Sequence, residues 1–149
     1  MLITQNVDGL HVVAGSKNLI EMHGSLHRCF CSSCKKKYDI KNIDLSYDIP
    51  KCPACNKFLR PDIVWFGEIP YELNPINEAL NKATAFISIG TSGQVYPAAQ
   101  FITICKYNGI MTIGINLTRP ENKHSMDYFY QGKSGELLPE LVRDWCSDL

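Results

Sequence analysis

The sequence predicts an α/β protein whose parallel sheet is interrupted by a small cysteine-rich module. Three observations predict it. The apolar run ATAFISIG ends in Gly90 and is followed by a helical stretch and a second apolar run, IMTIGIN. The segment from Arg28 to Arg60 is rich in Cys, Lys, Ser and Pro and poor in large aliphatic residues. Within it, four cysteines fall in two C-x-x-C pairs. Apolar strands alternating with helical periods point to a parallel sheet, whereas a segment so short of apolar bulk cannot supply a core of its own.

Taken in order, LITQNVDGLH begins as an apolar strand and runs into a polar turn at Asn6-Val7-Asp8-Gly9. After the apolar knot IVWFGE, residues 71–82 read as a helix and ATAFISIG as a buried strand. That strand leads through Thr91, Ser92 and Gly93 into a helix over residues 96–107, and IMTIGIN follows as the next buried strand, parallel to the first. The tail from Gly135 to Trp145 carries Leu137, Leu138, Leu141, Val142 and Trp145 at helical spacing, with Glu136 near its start and Arg143 near its end, the order a helix dipole favours. The expected organisation is a partial Rossmann-like domain over residues 1–27 and 61–149, with an inserted module over residues 28–60.

Composition narrows the function classes. The chain has 149 residues, 45% of them hydrophobic and 20% charged, with 15 basic against 15 acidic side chains. That balance lacks the electropositive footprint of a nucleic-acid binder. The apolar runs fall short of a bilayer span, and the opening residues lack a basic region followed by an apolar signal core. A cytoplasmic protein without membrane or nucleic-acid partners is expected. Seven cysteines, four of them in C-x-x-C pairs, suit metal ligation in a reducing compartment better than a disulfide framework.

Cys31-x-x-Cys34, seventeen intervening residues and Cys52-x-x-Cys55 have the spacing of a zinc ribbon, in which two tight turns present four thiolates to one tetrahedral ion. Four thiolates leave no place for water, so such a zinc is structural. Two other readings of the quartet stand beside it: ordinary buried cysteines, or a redox dithiol that cycles through one C-x-x-C. Cys29 forms Cys29-x-Cys31 and is an alternative ligand, although one intervening residue fits the thiolate turn less well; Cys105 and Cys146 read as bystanders.

ITQNVDGLH, IEMHGSLH, the two C-x-x-C pairs, RPDIVWFGE, the Gly-Thr-Ser after a strand and the strand end IGIN, in that order, resemble the sirtuin (Sir2) family over essentially the whole chain. The resemblance implies an NAD-dependent protein-lysine deacylase with NAD as consumed co-substrate, structural zinc, and an acyl-lysine protein or peptide as partner. The chain departs from the family in one respect. No G-x-G-x-x-G or GAG-type stretch occurs, so it looks like a C-terminal portion whose partner is the absent N-terminal half, with its first strands and pyrophosphate-binding helix N-terminus.

What the resemblance implies for single residues is specific. His23 is the general base, since an imidazole can accept a proton at neutral pH. Gln5, Asn6, Val7 and Asp8 line the nicotinamide and ribose end; Gly90, Thr91 and Ser92 form a second cofactor contact; Asn116, Leu117 and Thr118, with Ser134 in the loop before the last helix, hold the adenosine. Val64, Trp65, Phe66, Gly67 and Glu68 dock an extended substrate through backbone hydrogen bonds. In the implied reaction the acyl-lysine carbonyl oxygen attacks the nicotinamide ribose carbon and nicotinamide leaves. His23 then helps to deprotonate a ribose hydroxyl, and free lysine and O-acyl-ADP-ribose result. RPDIVWFGE and YPAAQF lean toward the branch containing desuccinylases and bacterial members. Without the resemblance, residues 5–8 read as turn chemistry, Trp65 and Phe66 as core, and the chain as a noncatalytic zinc-ribbon interaction module.

Overall fold

A computed structural model describes residues 1–46 and 49–147, which form two compact units, Met1–Ile76 and Asn77–Leu149. Among the described residues no helix is long and apolar enough to cross a membrane.

In the first unit, β1 (Leu2–Thr4) runs as the opening apolar residues predict. The following turn contains a feature the sequence reading lacked, the single-turn helix α1 (Leu10–Val13). It forms because Asp8 Oδ1 accepts from the Leu10 amide at 3.0 Å, while Gly9 turns the chain at φ 71°. A Cβ on Gly9 would lie 2.6 Å from His27 Cδ2, so the turn demands glycine twice over. The chain returns as β2 (Leu19–Glu21), parallel to β1 with Leu2 opposite Leu19 and Thr4 opposite Glu21.

Next comes an antiparallel sheet of β3 (Gly24–Cys31), β4 (Lys37–Asp39) and β5 (Leu59–Ile63), in the order β4-β3-β5. Its register sets Cys29 opposite Tyr38 and Pro61, and Phe30 opposite Lys37 and Arg60. Since successive strand residues face opposite sides, Cys29, Cys31, Tyr38 and Leu59 share one face and Phe30, Lys37 and Arg60 the other. The first face carries a small core of Cys29, Cys31, Ile43, Cys52 and Leu59. In keeping with its composition, three of these five core residues are cysteines. The close approach of β3 to β5 requires Gly24, which has φ 78° and whose Cβ would overlap the Asp62 carbonyl oxygen.

Helix α2 (Leu73–Lys82) falls within the predicted residues 71–82 and buries Ile76 and Leu80, one turn apart. In the second unit, β6 (Ala85–Ile89), α3 (Ala98–Tyr107) and β7 (Met111–Asn116) form the expected parallel crossover, with Ala85 opposite Met111 and Ile89 opposite Ile115. Helix α3 buries Ala99, Phe101, Ile102 and Cys105 on one side, and β7 is buried from Thr112 to Ile115. The sequence reading missed β8 (Tyr128–Gln131), which adds parallel to β7 and completes the order β6-β7-β8. It also expected β6 to be buried. Ile87 and Ile89 are instead exposed, because β6 is paired on one side only within this sheet. Helix α4 (Ser134–Ser147) begins at Ser134, so that residue opens the helix rather than preceding it.

Candidate functional site

The four predicted metal ligands converge. The Sγ atoms of Cys31, Cys34, Cys52 and Cys55 all lie within 4.8 Å of one another, with 3.5 Å between Cys31 and Cys55 and 3.7 Å between Cys34 and Cys52. A zinc–sulfur bond of about 2.3 Å in a tetrahedron sets sulfurs about 3.8 Å apart, so the quartet suits a structural zinc. Two matching turns produce this geometry. The residue after each second cysteine, Lys35 and Asn56, is left-handed at φ 62° and 57°, and its amide donates to the carbonyl of the first cysteine, Cys31 or Cys52. Cys29, Cys105 and Cys146 lie outside the quartet, and all seven cysteines are free thiols.

The thiols compete for ionisation. Burial opposes the Cys52 thiolate, yet the Tyr38 hydroxyl and the Ala54 and Cys55 amides hold its pKa down at about 6. The Lys57 amide favours the Cys55 thiolate, but the neighbouring Cys31, burial and the other two cysteines push it up to about 11. Four sulfurs this close cannot all shed their protons unless a cation compensates them.

Three separate motifs meet at His23. Its Nδ1 lies 3.1 Å from the Gln5 carbonyl oxygen, its own carbonyl accepts from the Val64 amide at 3.0 Å, and the preceding Met22 amide donates to the Thr4 carbonyl at 3.1 Å. A carbonyl oxygen only accepts, so this hydrogen bond places the proton on Nδ1 and leaves Nε2 as the imidazole's open lone pair. The 5–8 turn is held along its length: the Leu26 amide donates to the Val7 carbonyl at 2.9 Å, and His27 Nε2 lies 2.9 Å from the Asp8 carbonyl. Asn6 and Asp8 are exposed, and the Asp8 carboxylate accepts from the Leu10 amide at the start of α1.

The Val64–Glu68 loop has its own clamp. Arg60 pairs with Glu68 through two parallel hydrogen bonds of 2.6 and 2.8 Å, and Glu68 also accepts from the Trp65 amide at 2.9 Å. Arg60 and that amide hold the Glu68 carboxyl at about 2. Phe66 is 99% exposed and Trp65 54%, so neither is core, and the alternative reading of that pair fails. Glu68 thus orders the backbone of this loop.

Sequence reasoning missed Asp62. Its side chain is 1% exposed and accepts from Lys37 Nζ at 2.9 Å, Tyr71 Oη at 2.9 Å and, more weakly, Arg28 Nε at 3.4 Å, while Arg28 also reaches Glu21 at 2.8 Å. Burial works against this carboxylate, but the hydrogen bonds from Lys37 and Tyr71, with the Lys37 and Arg28 charges, hold it below the ordinary range. Its two cations, Lys37 and Arg28, lie 25 and 34 residues away in the chain, so no local pattern marks it.

In the second unit, the C-terminal ends of the parallel strands border a concavity of about 400 Å³ lined by Gly90, Ile115, Asn116, Leu117 and the 132–136 segment. It brings together four predicted residues, Gly90, Asn116, Leu117 and Ser134; Thr91, Ser92 and Thr118 do not line it. Gly90 turns at φ 65°, its amide donates to the Ile115 carbonyl at 2.9 Å, and Asn116 Nδ2 donates to the Thr91 carbonyl at 2.7 Å. The strand ends are thereby tied together, in the place where open α/β sheets hold ligands. Gly132, Lys133, Gly135 and Glu136 were not anticipated, although Gly-Lys-Ser-Gly-Glu running into a helix signals an accessible helix N-terminus.

Comparison with known proteins accords with this arrangement. The Sir2 family profile matches residues 1–97. The NAD-dependent protein deacylase of Pyrococcus furiosus is 45% identical over 150 residues, covering 96% of this chain and 60% of the relative. That of Bdellovibrio bacteriovorus is 46% identical over 144 residues, covering 95% and 60%. A crystal structure of a Sir2 homologue with NAD superposes with a TM-score of 0.89 at 39% identity, over 99% of this chain and 58% of that one. A Sir2 structure with a p53 peptide and NAD+ superposes at 0.86 and 33% identity, over 99% and 63%. The chain thus spans about 60% of the length of the curated relatives it matches. With the family profile matching residues 1–97 of its 149, the chain belongs to the Sir2 family.

Proposed function

We propose that the chain is the His23-bearing portion of an NAD-dependent protein deacylase, which releases nicotinamide and transfers the acyl group of an acyl-lysine side chain to ADP-ribose. The observation that carries this reading is the fixed imidazole. His23 is held by Gln5 through Nδ1, is hydrogen-bonded through its backbone to Val64, and offers Nε2 as a proton acceptor. In this reading Gln5, Asn6, Val7 and Asp8 contact the nicotinamide and its ribose. Gly90, Thr91, Ser92, Asn116, Leu117, Thr118 and Ser134 contact the remainder of NAD, and Val64–Glu68 aligns the acyl-lysine peptide. The relatives' names and the NAD and peptide complexes of similar structures support the activity and its co-substrate.

The module over residues 28–60 serves as the zinc-held part of the fold, since a closed set of four thiolates stabilises without activating water. Its exposed Cys34 thiol suits a reducing cytoplasm.

The test joins the chain to the part of the Pyrococcus furiosus relative that it does not span and follows nicotinamide release from NAD in the presence of an acetyl-lysine peptide. Peptide-dependent release is expected, and His23→Ala should slow it by about 10²-fold or more, the usual contribution of a positioned base. Equal rates would remove His23 from the chemistry. A zinc-loaded protein with neither NAD binding nor release would favour the noncatalytic interaction module.

A further inference from the structure

Tyr38 lies on β4 directly opposite Cys29, and strand alternation puts it on the face that carries Cys31 and the sulfur-rich core. Its hydroxyl lies 3.2 Å from Cys52 Sγ. Cys52 is 2% exposed, so solvent offers that sulfur little. Among the described residues this is the one side-chain hydroxyl that reaches a sulfur of the quartet. The backbone donor to Cys31, the Cys34 amide at 3.4 Å, comes with the tight turn whatever its sequence, whereas the Tyr38 donor depends on the side chain.

We propose that Tyr38 is a positioning residue of the metal site, whose hydroxyl donates to the Cys52 thiolate and so slows the loss of bound zinc. The proposal rests on the quartet holding zinc. One zinc ion and four thiolates carry a net charge of −2, and the part of that charge on a buried sulfur needs a donor. Metal leaves as a ligand sulfur is protonated or captured by another acceptor. A hydrogen bond that stabilises the Cys52 thiolate opposes both, in the manner of the outer partners of other metal ligands.

The test uses the full chain as wild type, Tyr38→Phe and Ile43→Val, each loaded with zinc and, in parallel, with cobalt(II). Tyr38→Phe keeps the ring and loses the donor; Ile43→Val thins the same core and leaves the donor. The expected results for Tyr38→Phe are zinc transfer to a chelator faster by about 10-fold or more and a sulfur-to-cobalt charge-transfer band at lower energy, since an unbonded thiolate gives up its electrons more readily. Ile43→Val should leave the band where it is. An unmoved band in Tyr38→Phe, or an equal shift in Ile43→Val, would overturn the proposal and leave the zinc site standing. Wild type that takes up neither metal would remove both.

Discussion

Asp62→Asn tests the buried carboxylate on β5 that joins β4, β3 and Tyr71 in the first unit. The substitution keeps shape and one acceptor oxygen, so Tyr71 can still donate. The new amide nitrogen, however, faces the Lys37 ammonium that now sits at 2.9 Å from a carboxylate oxygen, a donor against a donor. An unsatisfied buried polar group costs about 1–3 kcal/mol. The lost ion pairs add roughly 0.5 kcal/mol each, because Lys37 and Arg28 are 60% and 42% exposed and are screened by water. The sum is about 2–4 kcal/mol, or a melting temperature lower by about 5–15 °C for a chain of this size.

Chemical denaturation at neutral pH reads the difference directly. Its pH dependence has a definite sign. The folded pKa of Asp62 is depressed, so its contribution is complete above the unfolded carboxyl value and fades as pH falls through the folded one. The gap between wild type and variant should be level from about pH 6 to 8 and narrow below about pH 4. Equal midpoints at pH 7 would refute the view that these charges stabilise the unit.

Gly24→Ala should be severe: the residue is left-handed at φ 78° and its Cβ would meet the Asp62 carbonyl, so the β3–β5 register must shift at a cost of about 3 kcal/mol or more, read from denaturant midpoints or loss of soluble protein. Glu68→Gln should open the Val64–Glu68 loop, and hydrogen exchange at the Trp65 amide should accelerate, because the Arg60 ion pair and the Trp65 acceptor weaken together. With the folded Glu68 pKa at about 2, the wild-type loop should hold its protection from neutral pH down past the ordinary glutamate value and lose it only as pH approaches 2; protection lost near pH 5 would contradict this.

Local chemistry explains what was legible in the sequence. The period of Ile76 and Leu80, the apolar runs around Gly90 and Gly114, and the leucines of the last helix each announce an element within a dozen residues. The two C-x-x-C turns are equally local, and their pairing follows from the needs of one tetrahedral ion. What escaped notice depends on partners far apart. Tyr128–Gln131 is too short to declare itself and becomes a strand by pairing with β7. Burial of β6 could not be judged from Ile87 and Ile89 alone, since it depends on how many neighbours the strand has. Asp62 finds Lys37 and Arg28 across 25 and 34 residues, and the Arg60 clamp on Glu68 spans eight. In the candidate site, the chemistry was suggested by the resemblance of whole motifs rather than by residue types, and only the fold could add the Nδ1 hydrogen bond that fixes which imidazole nitrogen is open.

The most direct measurement is the metal content of the purified full chain, taken together with peptide mapping of its alkylated cysteines. One zinc per chain is predicted, with exposed Cys34 protected from alkylation alongside Cys31, Cys52 and Cys55 until a chelator is added. A metal-free chain with Cys34 freely alkylated, or with disulfides joining the quartet, would contradict the account.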